Sequence, residues 1–205
     1  MNVHSKLLER EAQLLDAALR LFSDRGFDGT PVPIIAKLAG VATGSLYRIY
    51  PSKENLANAV YRRWKSELAR QLTEDVPLDG PPRQLFHHFW SRLARFAREA
   101  PRAFVFLELH HHAPYLDKRN RALEEATLRP IVMALETAMT AEVVRKMTPA
   151  ALIAMVWGAM LGLVKAARLG YLELTDAVLD ETEEALWTAV RPVRRKRRRH
   201  ADADD

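Results

Sequence analysis

Residues 43–48, Thr43-Gly44-Ser45-Leu46-Tyr47-Arg48, set an uncommon group of side chains within two turns of a helix. With Leu46 turned inward, two hydroxyls, a glycine, a tyrosine and an arginine are left outside. A solvated helix face ordinarily carries Glu and Lys. Small residues allow close approach instead, hydroxyl and phenol groups bond phosphate oxygens, and an arginine fork meets guanine in two places. The chemistry on offer is recognition of double-stranded DNA. Arg48 and the turn Thr43, Gly44 and Ser45 are placed to read bases. Thr30, Tyr47, Tyr50 and Lys53 are placed to hold phosphates, and Lys53 also opens a helix whose first amides can face one.

Two short helices and a turn must position this group. Thr30 is a suitable N-cap, Pro31 suits the first helical position, and Pro33 is tolerated within the first turn. Ile35, Ala36 and Ala39 form an apolar stripe. Gly40 stops the helix, since glycine turns left-handed without a Cβ penalty, and Val41 plugs the turn. A second helix spans residues 43–50. Ser52 caps the next, with Asn55 where a capping box would carry Glu. The layout, about residues 31–50, is that of a helix-turn-helix whose second helix enters the major groove. Two ordinary short helices of an all-α protein share this spacing, and the exposed face of the second helix favours DNA.

The stretch LFSDRGFDGTPVPIIAKLAGVATGSLYRIYPSKENL resembles the N-terminal domain of the TetR family of bacterial transcriptional regulators. The likeness is carried by Phe22 and Gly26-Phe27, by Thr30, Val32, Ile35 and Ala36, by Ala39-Gly40-Val41, by Gly44, Leu46 and Tyr47, and by Ser52-Lys53-Glu54 with Leu56. It covers about residues 8–68. Ala42 stands where a small polar residue often follows, and Ile49-Tyr50 replaces an aromatic pair. The resemblance implies a homodimeric one-component regulator on a palindromic DNA operator, a repressor more than an activator. It also implies a helical ligand-binding and dimerising domain, about residues 69–190, released from DNA by a small hydrophobic effector.

Composition bounds the alternatives. The chain has 205 residues, 48% of them apolar, enough for a substantial core in one or two domains. It has no cysteine, which removes disulfides, zinc–thiolate sites and cysteine catalysis. The N-terminus reads as an amphipathic helix and not a signal peptide, and the apolar run 150–164 reads as too short to span a membrane. A cytoplasmic, soluble protein is expected. Charge is uneven. Residues 1–66 hold 10 Lys/Arg against 6 Asp/Glu, residues 67–190 hold 14 against 17, and residues 191–205 hold 7 against 3. The positive excess at the N-terminal end suits nucleic acid. The block Arg191–Arg199 reads as a disordered basic tail, either solvated or adding sequence-independent DNA affinity.

Helical periodicity runs through the rest of the chain. Leu8, Leu15, Leu19 and Phe22 mark a first helix over 5–25. Leu56, Val60, Leu68 and Leu72, with Tyr61 and Trp64, mark one over 53–73. The proline-rich break 77–82 is followed by helices over 83–99, 102–112, 116–145, 149–169 and 175–190, with Pro130 expected to kink the third of these or shift its boundary. The expected fold is all-α, with about nine helices. The apolar run from 150 reads as buried on most sides, with Gly158 and Gly162 forming a flat stripe for close helix approach. Core packing within one subunit explains that stripe; so does a four-helix bundle across a two-fold axis, which the family resemblance favours.

Phe86, Phe89, Trp90, Phe104, Met133, Trp157 and Met160 are either plain core or the walls of an effector cavity, with His87 or His110 as polar anchor. The run His110-His111-His112 cannot chelate one ion from a helix, because successive residues point about 100° apart. No metal, cofactor or catalytic residue is assigned, and no Ser-His-Asp order, P-loop or dinucleotide fingerprint is present. Two other functions fit less of the sequence: a small-molecule-binding protein or enzyme with a vestigial DNA domain, and a nonspecific DNA-binding protein.

Overall fold

A computed structural model describes residues 3–77, 80–112 and 114–192. Among them the chain forms nine helices and no strand: α1 (Val3–Arg25), α2 (Val32–Leu38), α3 (Thr43–Ile49), α4 (Lys53–Thr73), α5 (Pro82–Glu99), α6 (Pro101–Leu109), α7 (Lys118–Thr140), α8 (Pro149–Arg168) and α9 (Asp176–Val190). Leu78, Asp79 and Ala113 in the predicted breaks, and the basic tail after Pro192, lie outside the described residues.

α1 buries Leu14, Leu15, Ala18, Leu19 and Phe22. Leu8 shares their spacing but precedes the first buried position by nearly two turns and is 54% exposed. α2 starts one residue later than expected, with Pro31 at the capping position and Pro33 in the first turn. Thr30 is not its cap. That side chain is fully buried, and its hydroxyl is shared between the carbonyls of Leu21 (3.2 Å) and Gly26 (2.7 Å), which ties the start of α2 to the end of α1. Gly40 adopts the expected left-handed turn, φ +67°. Ser52 caps α4, accepting the Asn55 amide at 3.2 Å and donating to Asn55 Oδ1 at 3.0 Å; the second bond joins two side chains and is not the return bond to the backbone N–H that a capping-box glutamate makes.

One core runs from Phe22, Leu46, Leu56 and Val60 through Leu68 and Leu72 into Trp90, Phe96, Phe104, Phe106 and Met160. α4 therefore belongs both to the helix-turn-helix and to the helices behind it. The boundary drawn at residue 68 falls inside this helix. A smaller cluster of Met139, Val144, Leu152 and Val190 lies at the far end, with Phe86, Leu135 and Trp187 packed on it.

Several expectations about the later helices are corrected. α6 stops at Leu109, three residues early, because His110 is extended (φ −102°, ψ 146°). α7 is shorter at both ends than 116–145: Asp117 caps it through the Asn120 amide at 2.8 Å, and Glu142 turns left-handed just beyond it, φ +55°. Pro130 does not break α7, since both it and Ala126 lie on the exposed side, where an unpaired carbonyl meets water. α8 is apolar but not buried on most sides: Leu152, Met160 and Val164 are its buried residues, while Ala151, Ala154, Met155, Gly158 and Gly162 face outward. With 20 residues it is also long and apolar enough to cross a membrane by length and composition, unlike the shorter run read from the sequence.

Candidate nucleic-acid interface and apolar cavity

α3 is pinned by Leu46, which is fully buried, and α2 by Ile35 and Ala36. That anchoring presents Gly44, Tyr47, Arg48 and Ile49 to solvent, with Thr43 and Ser45 half-buried at the start of the helix. The exposed Arg48 guanidinium has no hydrogen bond or ion pair among the described residues, so its five donors remain for an outside acceptor. A Cβ built on Gly44 would meet nothing within 4 Å. Nothing inside the protein requires glycine there, and the clearance it gives is directed outward.

Two of the eight predicted DNA contacts turn inward. Thr30 is spent on α1. Tyr50 is 7% exposed, and its phenol donates to Glu11 Oε1 at 2.8 Å. Burial and that carboxylate push its pKa well up, so it stays a neutral donor inside the fold. Lys53 holds its ammonium 4.3 Å above the Phe27 ring, and Phe27 stacks on Tyr115 at 4.2 Å. The cation at the start of α4 is thus set against the link between α1 and α2, which in turn stacks on the link between α6 and α7. Lys37, with Ile34 and Leu38, was missed: all three are exposed on α2. The period that buries Val32, Ile35, Ala36 and Ala39 leaves this face outside, where the first helix of such a motif crosses the backbone.

An apolar cavity of about 100 Å³ lies among α4, α5, α7, α8 and α9. All eighteen residues around it are apolar. Of the nine predicted effector contacts, Phe86, Phe89 and Trp157 line it. Phe104 and Met160 are fully buried core, and Met133 is 58% exposed on the outer side of α7. Trp90 is buried with its indole N–H on the Leu179 carbonyl at 3.0 Å, beside a polar groove between α5 and α9. His87 is exposed and pairs with Glu183 at 2.9 Å, and His110 sits half-buried at the end of α6. Neither histidine reaches the cavity. The walls that were missed are mainly aliphatic: Leu128, Ile131 and Leu135 of α7, Leu152 and Val156 of α8, and Trp187 and Val190 of α9. A search for large side chains passes over a void that three helices make together.

Behind the cavity is a polar junction. Lys65 of α4 is buried between Glu108 of α6 and Glu124 of α7, 3.7 Å from each. The Trp157 indole donates to Glu108 at 2.7 Å. Burial pushes the Glu108 carboxyl up, against the pull of Lys65 and of that hydrogen bond. The three histidines separate: His111 is exposed, whereas buried His112 donates from Nε2 to the Phe106 carbonyl and accepts the Tyr115 hydroxyl at Nδ1 (2.6 Å). Burial holds the His112 pKa below the usual histidine value. Among the described residues no group of three His, Cys, Asp or Glu side chains is placed to hold a metal ion.

Comparison with known proteins bears on both surfaces. Residues 14–66 match a family described as bacterial regulatory proteins, tetR family, and residues 61–192 match the tetracyclin repressor-like C-terminal domain. The HTH-type transcriptional repressor KstR2 of Rhodococcus jostii is 39% identical over 67 residues, 33% of each chain. The repressor KstR of Mycolicibacterium smegmatis is 30% identical over 107 residues, 49% of this chain and 52% of that one. The chain thus spans a third to a half of the length of these relatives. Among solved structures, a TetR family transcription regulator from Marinobacter aquaeolei aligns over 93% of this chain and 100% of its own, with TM-score 0.83 and 22% identity. One from Shewanella sp. PV-4 covers 88% and 97%, with TM-score 0.74 and 24% identity.

Proposed function

Because the chain belongs to the TetR family of bacterial regulatory proteins, we propose that it is a cytoplasmic, one-component transcriptional repressor that binds a palindromic operator as a homodimer and leaves it when a small hydrophobic effector binds. The observation that carries the reading is the outward face of α3: Gly44, Tyr47 and Arg48 are exposed together, and neither the Gly44 clearance nor the Arg48 guanidinium serves the fold. Arg48, Gly44 and the half-buried Thr43 and Ser45 read bases. Tyr47, Lys53 and Lys37 hold phosphates on either side.

One α3 covers only a few base pairs, so an operator needs two heads about a DNA turn, or a multiple, apart. The open face of α8 supports pairing. Its small residues admit another helix closely, and apolar residues such as Met155 exposed beside them suit a contact with a second copy. The second copy covers α8 together with the outer side of α9. The apolar cavity takes the effector. At about 100 Å³ it is smaller than the roughly 150 Å³ that houses benzene, so the effector opens it further. α7 forms one wall, with Asn120, Thr127 and Met139 as its buried residues.

The test is a mobility shift on the DNA upstream of the protein's own gene, against an excess of bulk DNA. A discrete complex that survives competition, and is lost with Arg48→Ala, supports the repressor. Binding erased by bulk DNA supports a nonspecific binder. No binding at all supports a vestigial DNA domain.

A further inference from the structure

The junction around Lys65 touches every moving part that the repressor reading requires. Lys65 is on α4, twelve residues after the start of that helix beside the DNA-reading face, or about 18 Å along it at 1.5 Å per residue. Glu124 is on α7, the wall of the cavity. Glu108 is on α6. Trp157 is on α8, with part of its ring on the cavity and its N–H on Glu108.

The contacts do not resemble a settled ion pair. Both Lys65–carboxylate distances are 3.7 Å, beyond ordinary hydrogen-bond reach. Glu108 Oε1 is buried and has no hydrogen-bond partner. The Lys65 ammonium lies 5.8 Å from the Trp157 ring and 5.9 Å from that of Tyr61. One cation is shared by two acids, and the hydrogen bond on Glu108 comes from the cavity wall. A buried carboxylate that loses this bond must find another donor. Lys65 is the donor within reach, and moving toward Glu108 takes it from Glu124. A second arrangement, with Lys65 on Glu108 and off Glu124, is thus open to the junction once the Trp157 N–H leaves.

We propose that Trp157 reports filling of the cavity to α4 through Glu108 and Lys65. This rests on the effector-released repressor reading and gives it a route. An apolar molecule pressing on the indole withdraws its N–H from Glu108. Glu108 then draws Lys65 from Glu124, the hold of α7 on α4 is loosened, and α4 moves with the DNA head. Trp157, Glu108 and Lys65 are positioning residues and need not touch DNA. A coupling carried this way is a difference between two arrangements biased from both ends.

The experiment needs no known effector. Ala138 lines the cavity, so Ala138→Phe fills it from within; Ala134→Leu is a milder filler of the same wall, used if thermal melts show that the first does not fold. The chain lacks cysteine, so Lys37→Cys on α2 and Arg95→Cys on α5, both exposed, take a dye pair cleanly. Doubly labelled subunits diluted into excess unlabelled protein report the distance between head and body by energy transfer, whether or not the protein dimerises or binds DNA.

The filler is expected to shift that distance in the native background. Trp157→Phe keeps a ring on the wall but removes the N–H, so it alone gives the shifted distance, and adding the filler changes nothing more. Glu108→Gln keeps an acceptor for the indole but removes its charge on Lys65, so the filled protein returns to the unfilled distance. These opposite signatures are not expected of residues that only pack. The proposal is overturned if the filler shifts the distance equally in all three backgrounds, or in none. Absence of operator binding, measured separately, would sink the repressor reading while the distances still decide the route.

Discussion

Asn120 of α7 clasps Asn58 of α4 through a single amide: its Nδ2 donates to both the backbone carbonyl (2.9 Å) and the side-chain oxygen (2.8 Å) of Asn58. Asn58 in turn donates to the Tyr115 carbonyl at 2.7 Å and accepts the Asp117 amide at 2.9 Å. Asn120 is fully buried. Removing it takes away two buried hydrogen bonds, although the Asn58 side-chain oxygen keeps the Asp117 amide, and each bond so lost is worth about 0.5–1.5 kcal/mol. Asn120→Ala is expected to lower Tm by about 2–12 °C for a chain of this size. Calorimetry checks this, and an unchanged Tm would show that water replaces the clasp.

The exposed face of α3 makes a prediction that separates binding from folding. Gly44→Leu adds a side chain where the protein has only open space, so Tm should hold or rise, since leucine favours helix over glycine. Operator binding should be abolished by the lost clearance. Arg48→Ala should cost about 1–3 kcal/mol at one base position and leave the others alone. A mobility shift with single-base operator variants reads both. If Gly44→Leu binds like wild type, α3 does not approach DNA by its exposed side.

For the dimer, Gly158→Arg puts a long charged side chain on the open face of α8. Within one subunit it has room, so the monomer fold should persist. Light scattering is expected to give monomers, with operator affinity lost because one head cannot span two half-sites. Dimers that survive this substitution would move the interface off α8.

Acid should destabilise the protein through its buried histidines. Burial lowers the pKa of both His112 and His88 below the ordinary histidine value of about 6.5. The unfolded chain then binds protons more readily than the folded one. Their contribution is present above pH 6.5 and is lost as pH falls through 6.5 toward the folded values. Glu108, held up by burial, acts with the opposite sign. In melts between pH 7.5 and 5.5 the histidine part lowers Tm as pH falls and the Glu108 part raises it, and His112→Gln should remove the His112 share of the slope while leaving the part due to His88. An equal slope in His112→Gln would mean that His112 is not the group responsible.

How legible the molecule was in its sequence differed from surface to surface. The helix-turn-helix is written in local rules: Gly40 for the turn, Ser52 for the cap, and the spacing of Ile35, Ala36, Ala39 and Leu46 for the inner face. Local rules do not reveal long-range partners, which is why Thr30 and Tyr50 were misplaced. Their hydroxyls are taken up by Gly26 and Leu21 in one case and by Glu11, thirty-nine residues away, in the other. The cavity was least legible. It depends on where α7 comes to rest against α8 and α9, and no residue type marks that. The ring of Trp187 is part of the wall, yet no local pattern in the sequence singles it out.

The uniform lining of the cavity limits what it accepts. No side chain around it offers a carboxylate, hydroxyl, amide or imidazole, so a polar group pushed inside meets no partner. Such burial costs about 1–3 kcal/mol on protein scales, and each added methylene that is buried returns only about 0.8 kcal/mol. An unbranched hydrocarbon segment is therefore expected to bind, and the same segment with a hydroxyl midway along it to bind roughly 5- to 150-fold more weakly, at about 1.4 kcal/mol per factor of ten. Trp157 and Trp187 both face the cavity, so their emission should change on binding, while buried Trp90 should not contribute. Titrating a series of alkanes and internal alkanols of matched length, with fluorescence and thermal shift as readouts, makes the comparison. Leu152→Trp should abolish both signals by filling the site. Equal affinity for the hydroxylated members, or binding that survives Leu152→Trp, would place the effector elsewhere in the molecule.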